Sequence, residues 1–423
     1  MTPRLTLWTI LCAWSLFTCA QQNAARINSG EINENGIKLY DDGKYKEALK
    51  EFDKVPVGDT NYVKTLYESA LACSMDSQFV RGIAYCEKGL ADRSDPQRDP
   101  ELLLLYGSLL DYNNEQNRAL HVFDSALLVY PAYLNLYISK GTTLIRMNKY
   151  PEAEKVLKQA ALISPYSANL HHKLGLSALN QGKVVPAFLC MLASLSVEPS
   201  SRYYKDAINI LSEISKSTDN ISEMLNKRTE EPSGNFRLVE QIVLSKIALD
   251  NNYKIIIGLD DKISRQAQVM LEKLVFDESD QDFYMQYYVP VFKKIFEDKK
   301  FEYFVNYIFS NVNIPEIQDF NKKKKKEIDA LKTDLVGYFN LLRVTRELQY
   351  AKRNNNGPRY HYEDGKLYGK GVMQEKDIFA GPWTFYFASG NKKAEGSFNN
   401  KGEKDGAFSY YYFNGQLKAV ETY

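Results

Sequence analysis

A chain whose small residues return at one fixed interval can bury itself only by stacking copies of one unit, because no single copy closes a core alone. Here the interval is 34 residues. Gly107, Gly141 and Gly175 keep it, as do Ala119, Ala153 and Ala187. Phe123, Leu157 and Met191 form a third column, Ala126, Ala160 and Ser194 a fourth, and Pro131, Pro165 and Pro199 a fifth. One small residue in a first helix and two in a second let paired helices approach closely. The large apolar residue between the small pair fills the gap toward the next copy. Proline closes the unit because it cannot extend a helix. Apolar residues recur at helical spacing in each half, as in Leu103, Tyr106, Leu110 and then Leu120, Phe123, Leu127.

Two earlier copies share the columns. Ile32, Gly36, Leu39, Ala48, Phe52 and Val55 form one, with Asp42-Gly43 as the turn between its helices. Leu66, Ala70, Cys73, Gly82, Cys86 and Gly89 form the next, followed by a three-residue insertion in LADRSDPQRDP. The five copies, residues 29–200, resemble the tetratricopeptide repeat family. That resemblance implies a right-handed α-solenoid with a concave groove lined by the first helix of each pair. Mapped onto this chain, the lining positions are Tyr67, Leu71, Leu104, Ser108, Ile138, Thr142, Ile145, His172, Leu176 and Leu179. The set is largely apolar, and the Lys, Asn and Arg clamp of one familiar subtype is absent from it. The groove is thus expected to accept an apolar stripe. Either a protein partner supplies it as a helix or extended chain, or the chain's own later helices do.

The start of the chain is a different kind of segment. Arg4 precedes an apolar run, Leu5 to Phe17, too short to span a bilayer as a helix. Small residues and then Gln21-Gln22-Asn23 follow, the pattern of a secretory signal over residues 1–20. Leu16-Phe17-Thr18-Cys19 reads as a loose lipobox that would leave Cys19 lipidated, whereas Thr18-Cys19-Ala20 suits ordinary cleavage. The expectation is an exported protein, in the periplasm or held at the outer membrane as a lipoprotein. Beyond the signal, Cys73, Cys86 and Cys190 are too few and too widely spaced for a disulfide framework. They read as buried thiols, with a Cys73–Cys86 bridge across one helix pair as the alternative.

Residues 201–235 read as a capping helix, Tyr203 to Ser215, and a linker, NKRTEEPSGN. Residues 236–352 read as a helical block in which aromatics replace alanine as packing residues. Its segments are expected near 236–250, 261–276, 281–298, 300–311 and 316–352. Lys322 to Lys326 reads as a solvated face opening the last helix, with contact to anionic lipid as the alternative. The net charge of +1 gives no global field toward nucleic acid.

From residue 356 the period changes to two within strands and to 25 between copies. Gly365, Gly390 and Gly415 keep the longer step, as do Tyr360, Phe385 and Tyr410, and Tyr362, Phe387 and Tyr412. Gly381 is matched by Gly406 and Trp383 by Phe408. Asp364-Gly365, Ser389-Gly390 and Asn414-Gly415 supply tight hairpin turns. Residues 356–423 resemble the MORN-type repeat in its bacterial variant, which implies a row of antiparallel hairpins forming one sheet. Trp383, Phe385, Phe387, Phe408, Tyr410 and Tyr412 are its candidate surface, either packed along one face, stacked on an envelope glycan, or docked on a protein.

Catalytic signatures are missing. The four histidines are His121, His171, His172 and His361; the adjacent pair diverges by about 100° on a helix and cannot chelate together. No phosphate loop or nucleophile elbow is present, and no metal or cofactor is implied. The expected fold is mainly α, a repeat solenoid followed by a helical block and a C-terminal antiparallel sheet. The expected function is that of a non-catalytic envelope adaptor holding a partner protein. The alternative is glycan or peptidoglycan binding by the tail, with the repeats as a spacer.

Overall fold

The computed structural model describes residues 28–344, 359–363, 366–374, 378–387 and 389–423. It divides into two compact units, one ending at Arg98 and one beginning at Asp99. The expected signal and Asp364-Gly365 lie outside the described residues.

The first unit holds two helix pairs: α1 (Ser29–Asp41) with α2 (Tyr45–Phe52), and α3 (Tyr62–Met75) with α4 (Phe79–Ala91). Asn28 caps α1 by accepting from the Glu31 amide. A Cβ at Gly36 would stand 2.2 Å from the Phe52 ring, so the missing side chain is what seats α2 on α1. Ala48, Leu49 and Phe52 pack with Ala72 and Cys73, and Thr65 Oγ1 donates to Asn33 Oδ1 at 3.0 Å between α1 and α3.

The second unit continues with α5 (Asp99–Tyr112), α6 (Gln116–Val129), α7 (Leu134–Arg146), α8 (Tyr150–Ile163), α9 (Ala168–Leu179) and α10 (Val184–Val197). These are three helix pairs, and the repeated columns occupy equivalent places in each. Cβ atoms at Gly107, Gly141 and Gly175 would meet Phe123, Leu157 and Met191 at 2.4, 2.7 and 2.7 Å. The large apolar residue therefore packs onto the glycine of its own pair, where the sequence pattern pointed toward the next copy. Pro131, Pro165 and Pro199 each follow directly on the residue that caps a second helix. The turn inside each pair carries one left-handed residue, namely Gly43, Ser77, Asn114, Asn148 and Gly182.

The capping helix α11 (Tyr204–Lys216) follows, then α12 (Asp219–Asn226), α13 (Gly234–Leu244) and α14 (Lys262–Lys273). The expected segment at 281–298 is broken into α15 (Phe283–Tyr287) and α16 (Val289–Glu297). Pro290 explains the break, since it has no amide to donate back into the preceding turn. After α17 (Phe301–Ile308), the expected segment at 316–352 also divides, into α18 (Pro315–Lys323) and α19 (Lys325–Val344). The lysine run straddles this joint, with Lys322 and Lys323 in the last turn of α18, where cations favour the helix dipole.

The helical block lies against the second helices: α19 packs on α8, and α13 and α17 pack on α10. Tyr287 donates to the Ala161 carbonyl at 2.9 Å and Tyr307 to the Ser196 carbonyl at 3.2 Å. As a result α10 is buried from Val184 through Ser196, and its sequence is apolar all round.

Among the described residues six strands, β1 (Arg359–Glu363), β2 (Lys366–Gln374), β3 (Ile378–Tyr386), β4 (Lys392–Phe398), β5 (Lys404–Tyr411) and β6 (Leu417–Thr422), form one antiparallel sheet in chain order. Its turn at Gly390 sits on the corner between α6 and α7, where the Ala132 amide donates to the Gly390 carbonyl at 3.2 Å.

Candidate functional site

In the second unit the first helices α5, α7 and α9 border a space that no residue of the helical block lines, although the block packs against the His171 side of α9. A cavity of about 220 Å³ opens there, bounded by residues of these helices and by the start of α11. Ser108, Asp111 and Tyr112 come from α5. Ile138, Thr142, Thr143 and Arg146 come from α7, Asn169 and Lys173 from α9, and Arg202 and Tyr203 precede α11.

The wall is charged, which corrects the expectation of an apolar groove. Of the ten predicted lining residues, Ser108, Ile138 and Thr142 border the cavity. Ser108 and Thr142 turn their hydroxyls back to the Leu104 and Ile138 carbonyls, at 2.8 Å each. Leu104 is half-buried. Ile138 and Leu179 belong to the buried core, and Ile145 and Leu176 pack against it. His172 is buried, stacked on Tyr203, with Nε2 2.6 Å from Asp206 Oδ2. Tyr67 and Leu71 belong to the first unit, where both are half-buried and the Arg98 guanidinium lies 5.6 Å from the Tyr67 ring centre.

The correction has a physical reason. Residues one turn away from the predicted positions carry long polar side chains that reach over the wall, and a face read only as apolar or not loses them. Arg146 pairs with Asp111, which also accepts from Thr143 Oγ1 at 2.9 Å, and its guanidinium lies 4.6 Å from the Tyr112 ring centre. Lys173 Nζ and the Arg202 guanidinium lie 5.5 and 4.9 Å from the Tyr203 ring centre. Partial burial pulls the Lys173 ammonium down from its ordinary value, and the like charges of Arg146 and Arg202 add to that against the opposing Asp206. Burial likewise pulls His172 down.

The other histidine of the pair serves the core. His171 sits between the Pro165 carbonyl on Nε2 and the Tyr288 hydroxyl on Nδ1, both at 2.7 Å. Donation to the carbonyl puts the proton on Nε2, so Nδ1 accepts from Tyr288. Complete burial pushes this imidazole down to about 4. Cys73, Cys86 and Cys190 are free and buried; burial pushes the Cys73 thiol up to about 11 and raises the other two as well. The alternative of a Cys73–Cys86 bridge is thereby replaced by two inert thiols. Among the described residues no group of His, Cys, Asp and Glu is placed to hold a metal ion, and no helix is long and apolar enough to cross a membrane.

The predicted aromatic surface of the tail is mostly a core. Trp383 and Phe408 are 2% and 1% exposed and gather Phe385, Phe398 and Tyr410 around them. Trp383 lies flat over β2, where a Cβ at Gly371 would come within 2.3 Å of its ring, and its indole donates to the Val372 carbonyl at 2.9 Å. Phe408 repeats this on Gly396 at 2.2 Å. Irregularities in pairing at Phe385/Tyr386 and again at Tyr410/Tyr411 break the strict alternation. Phe387 therefore meets Phe413 instead of Phe385's cluster, and Tyr412 is left exposed.

No protein-family model and no curated protein matches this chain. Among solved structures, a thermophilic TPR protein from Thermus thermophilus is 18% identical, covering 44% of this chain and 99% of that one with a TM-score of 0.37. MamA AMB-1 is also 18% identical, over 43% of this chain and 98% of its own, at 0.32. The TPR2AB domain of yeast Sti1, solved as a complex with pHSP90, is 14% identical over 52% and 89%, at 0.25. Scores this low leave the helix-pair architecture to rest on this chain's own packing.

Proposed function

We propose that this chain is an exported, non-catalytic scaffold of the bacterial envelope that holds a partner polypeptide along the inner wall of its helix pairs. One observation carries the reading: the cavity between α5, α7 and α9 is lined by no residue of the later helices, which pack on α8, on α10 and on the His171 side of α9. Self-filling, the competing expectation, is disfavoured by that placement. The signal-like residues 1–20 support export, with Cys19 as the lipidation position, and the sheet offers a second docking surface through its exposed β6 edge. Glycan stacking by the tail is disfavoured because Trp383 and Phe408 present no open face.

Replacing Ser108 and Thr142 together by tryptophan fills the wall without entering the core. The expected result is loss of the protein that co-purifies with the wild-type chain, at unchanged helical circular dichroism. Undiminished co-purification by the folded double variant contradicts groove binding.

A further inference from the structure

Among the described residues β6 is the far edge of the sheet, whereas β1, the other edge, lies beside α19. Gly406 and Tyr423 exchange both backbone hydrogen bonds, at 3.2 and 3.1 Å, which sets the phase of the β5–β6 ladder. Glu421, opposite Phe408, and Ala419, opposite Tyr410, also turn their backbone groups toward β5. Val420 and Thr422 therefore turn theirs to the open edge. The irregularity at Tyr410/Tyr411 sets Leu417 opposite Tyr411, on the same face as Val420, which lies opposite Ser409. Leu417 and Val420 are 56% and 55% exposed, an apolar pair on an edge with outward-facing backbone groups. Lys418 and Glu421 are exposed charges of opposite sign, and the Lys418 ammonium lies 5.8 Å from the Tyr412 ring centre.

This edge is complementary to itself. A two-fold axis normal to the sheet pairs identical strands antiparallel and keeps each side chain on its own face. With Val420 on the axis, the two Val420 residues exchange both backbone hydrogen bonds and their side chains meet. Leu417 of one copy then falls beside Thr422 of the other on that face. Glu421 falls across from Ala419 of the other copy and beside its Lys418, and the symmetry makes this ion pair twice. Sliding the copies by two residues one way sets Glu421 against Glu421, like charges face to face. Sliding them the other way draws the irregular backbone at Lys418 into the central ladder. We propose that β6 pairs antiparallel with β6 of a second copy of this chain, with Val420 on the axis, joining two sheets into one. This names the occupant of the β6 edge and rests on the edge-docking part of the reading above. Such a contact is isologous and stops at two copies. It is also small, so the dimer is weak and reversible, with a dissociation constant on the order of 10–100 µM.

The test is sedimentation equilibrium of the chain purified from a producing bacterium, from about 1 to about 300 µM. The expected result is a reversible monomer–dimer equilibrium. Val420→Pro removes the central donor without removing a bond to β5, and should weaken the dimer at least about tenfold at unchanged circular dichroism. Lys418→Glu should weaken it about fivefold by placing like charges side by side, and Lys418→Glu with Glu421→Lys should restore it. A chain that stays monomeric throughout overturns the inference, as does a dimer that Val420→Pro leaves unchanged. Failure of the double reversal to restore association overturns the proposed register. If the wild-type chain is monomeric while Val420→Pro loses a co-purifying protein, edge docking stands with a foreign strand and this inference falls. If the wild-type chain is monomeric and Val420→Pro co-purifies its partners undiminished, edge docking falls with it.

Discussion

Glu154 shows how single residues hold neighbouring copies together. It is buried on α8 and pairs with Lys158 of its own helix and with Lys183, at 2.7 Å, in the turn that opens α10. Burial alone would raise its carboxyl; the two lysines outweigh that and hold it below its ordinary range. A carboxylate with a depressed folded value contributes stability that is present at neutral pH and lost as pH falls through that value. Glu154→Gln is expected to lower unfolding stability by about 1–3 kcal/mol at pH 7 and by less in acid, read from urea midpoints. Nothing in the repeat pattern marks Glu154, because its partner Lys183 lies 29 residues away in the next copy's turn. Lys173 and Arg202 were equally illegible, since a basic residue on a helix face or in a turn reads as solvated until its neighbours across the wall are known.

The elements were legible where spacing alone dictates packing. Gly107, Gly141 and Gly175 had to be small because a large apolar side chain lies on each. The 25-residue tail pattern is equally direct, and the structure extends it to Gly371 and Gly396, the platforms beneath Trp383 and Phe408. What spacing could not show was direction: that Trp383 lies across its neighbouring strand instead of standing off the sheet. Gly371→Ala is expected to cost the sheet about 1–3 kcal/mol by driving a methyl group into the indole. Gly381 has positive φ but open space around a Cβ, so Gly381→Ala should cost about 1 kcal/mol. Limited proteolysis of the tail in the full chain ranks the two; equal or reversed sensitivity contradicts the platform assignment. The breaks at Pro290 and Lys324 show the limit of periodicity, which runs through a joint when the apolar face continues on both sides.

At the scale of the molecule, the N-terminal reading stands apart from the fold and has its own test. Mass spectrometry of the mature protein from a producing bacterium is expected to show either lipid on Cys19 or a chain beginning at Gln21; an unprocessed Met1 contradicts export. The central claim concerns which side of the helix pairs is free to work. The helical block packs on α8, on α10 and on the His171 side of α9, and the sheet turn sits at the α6–α7 corner, so the cavity side of α5, α7 and α9 is the surface on offer. A photo-crosslinking amino acid placed at Thr142, compared with one at the exposed Leu128 on α6, tests this directly in producing cells. The account predicts a discrete crosslink to another polypeptide from position 142 and none of the same mass from 128. Crosslinks from 142 only to this chain's own residues beyond 235 would contradict it.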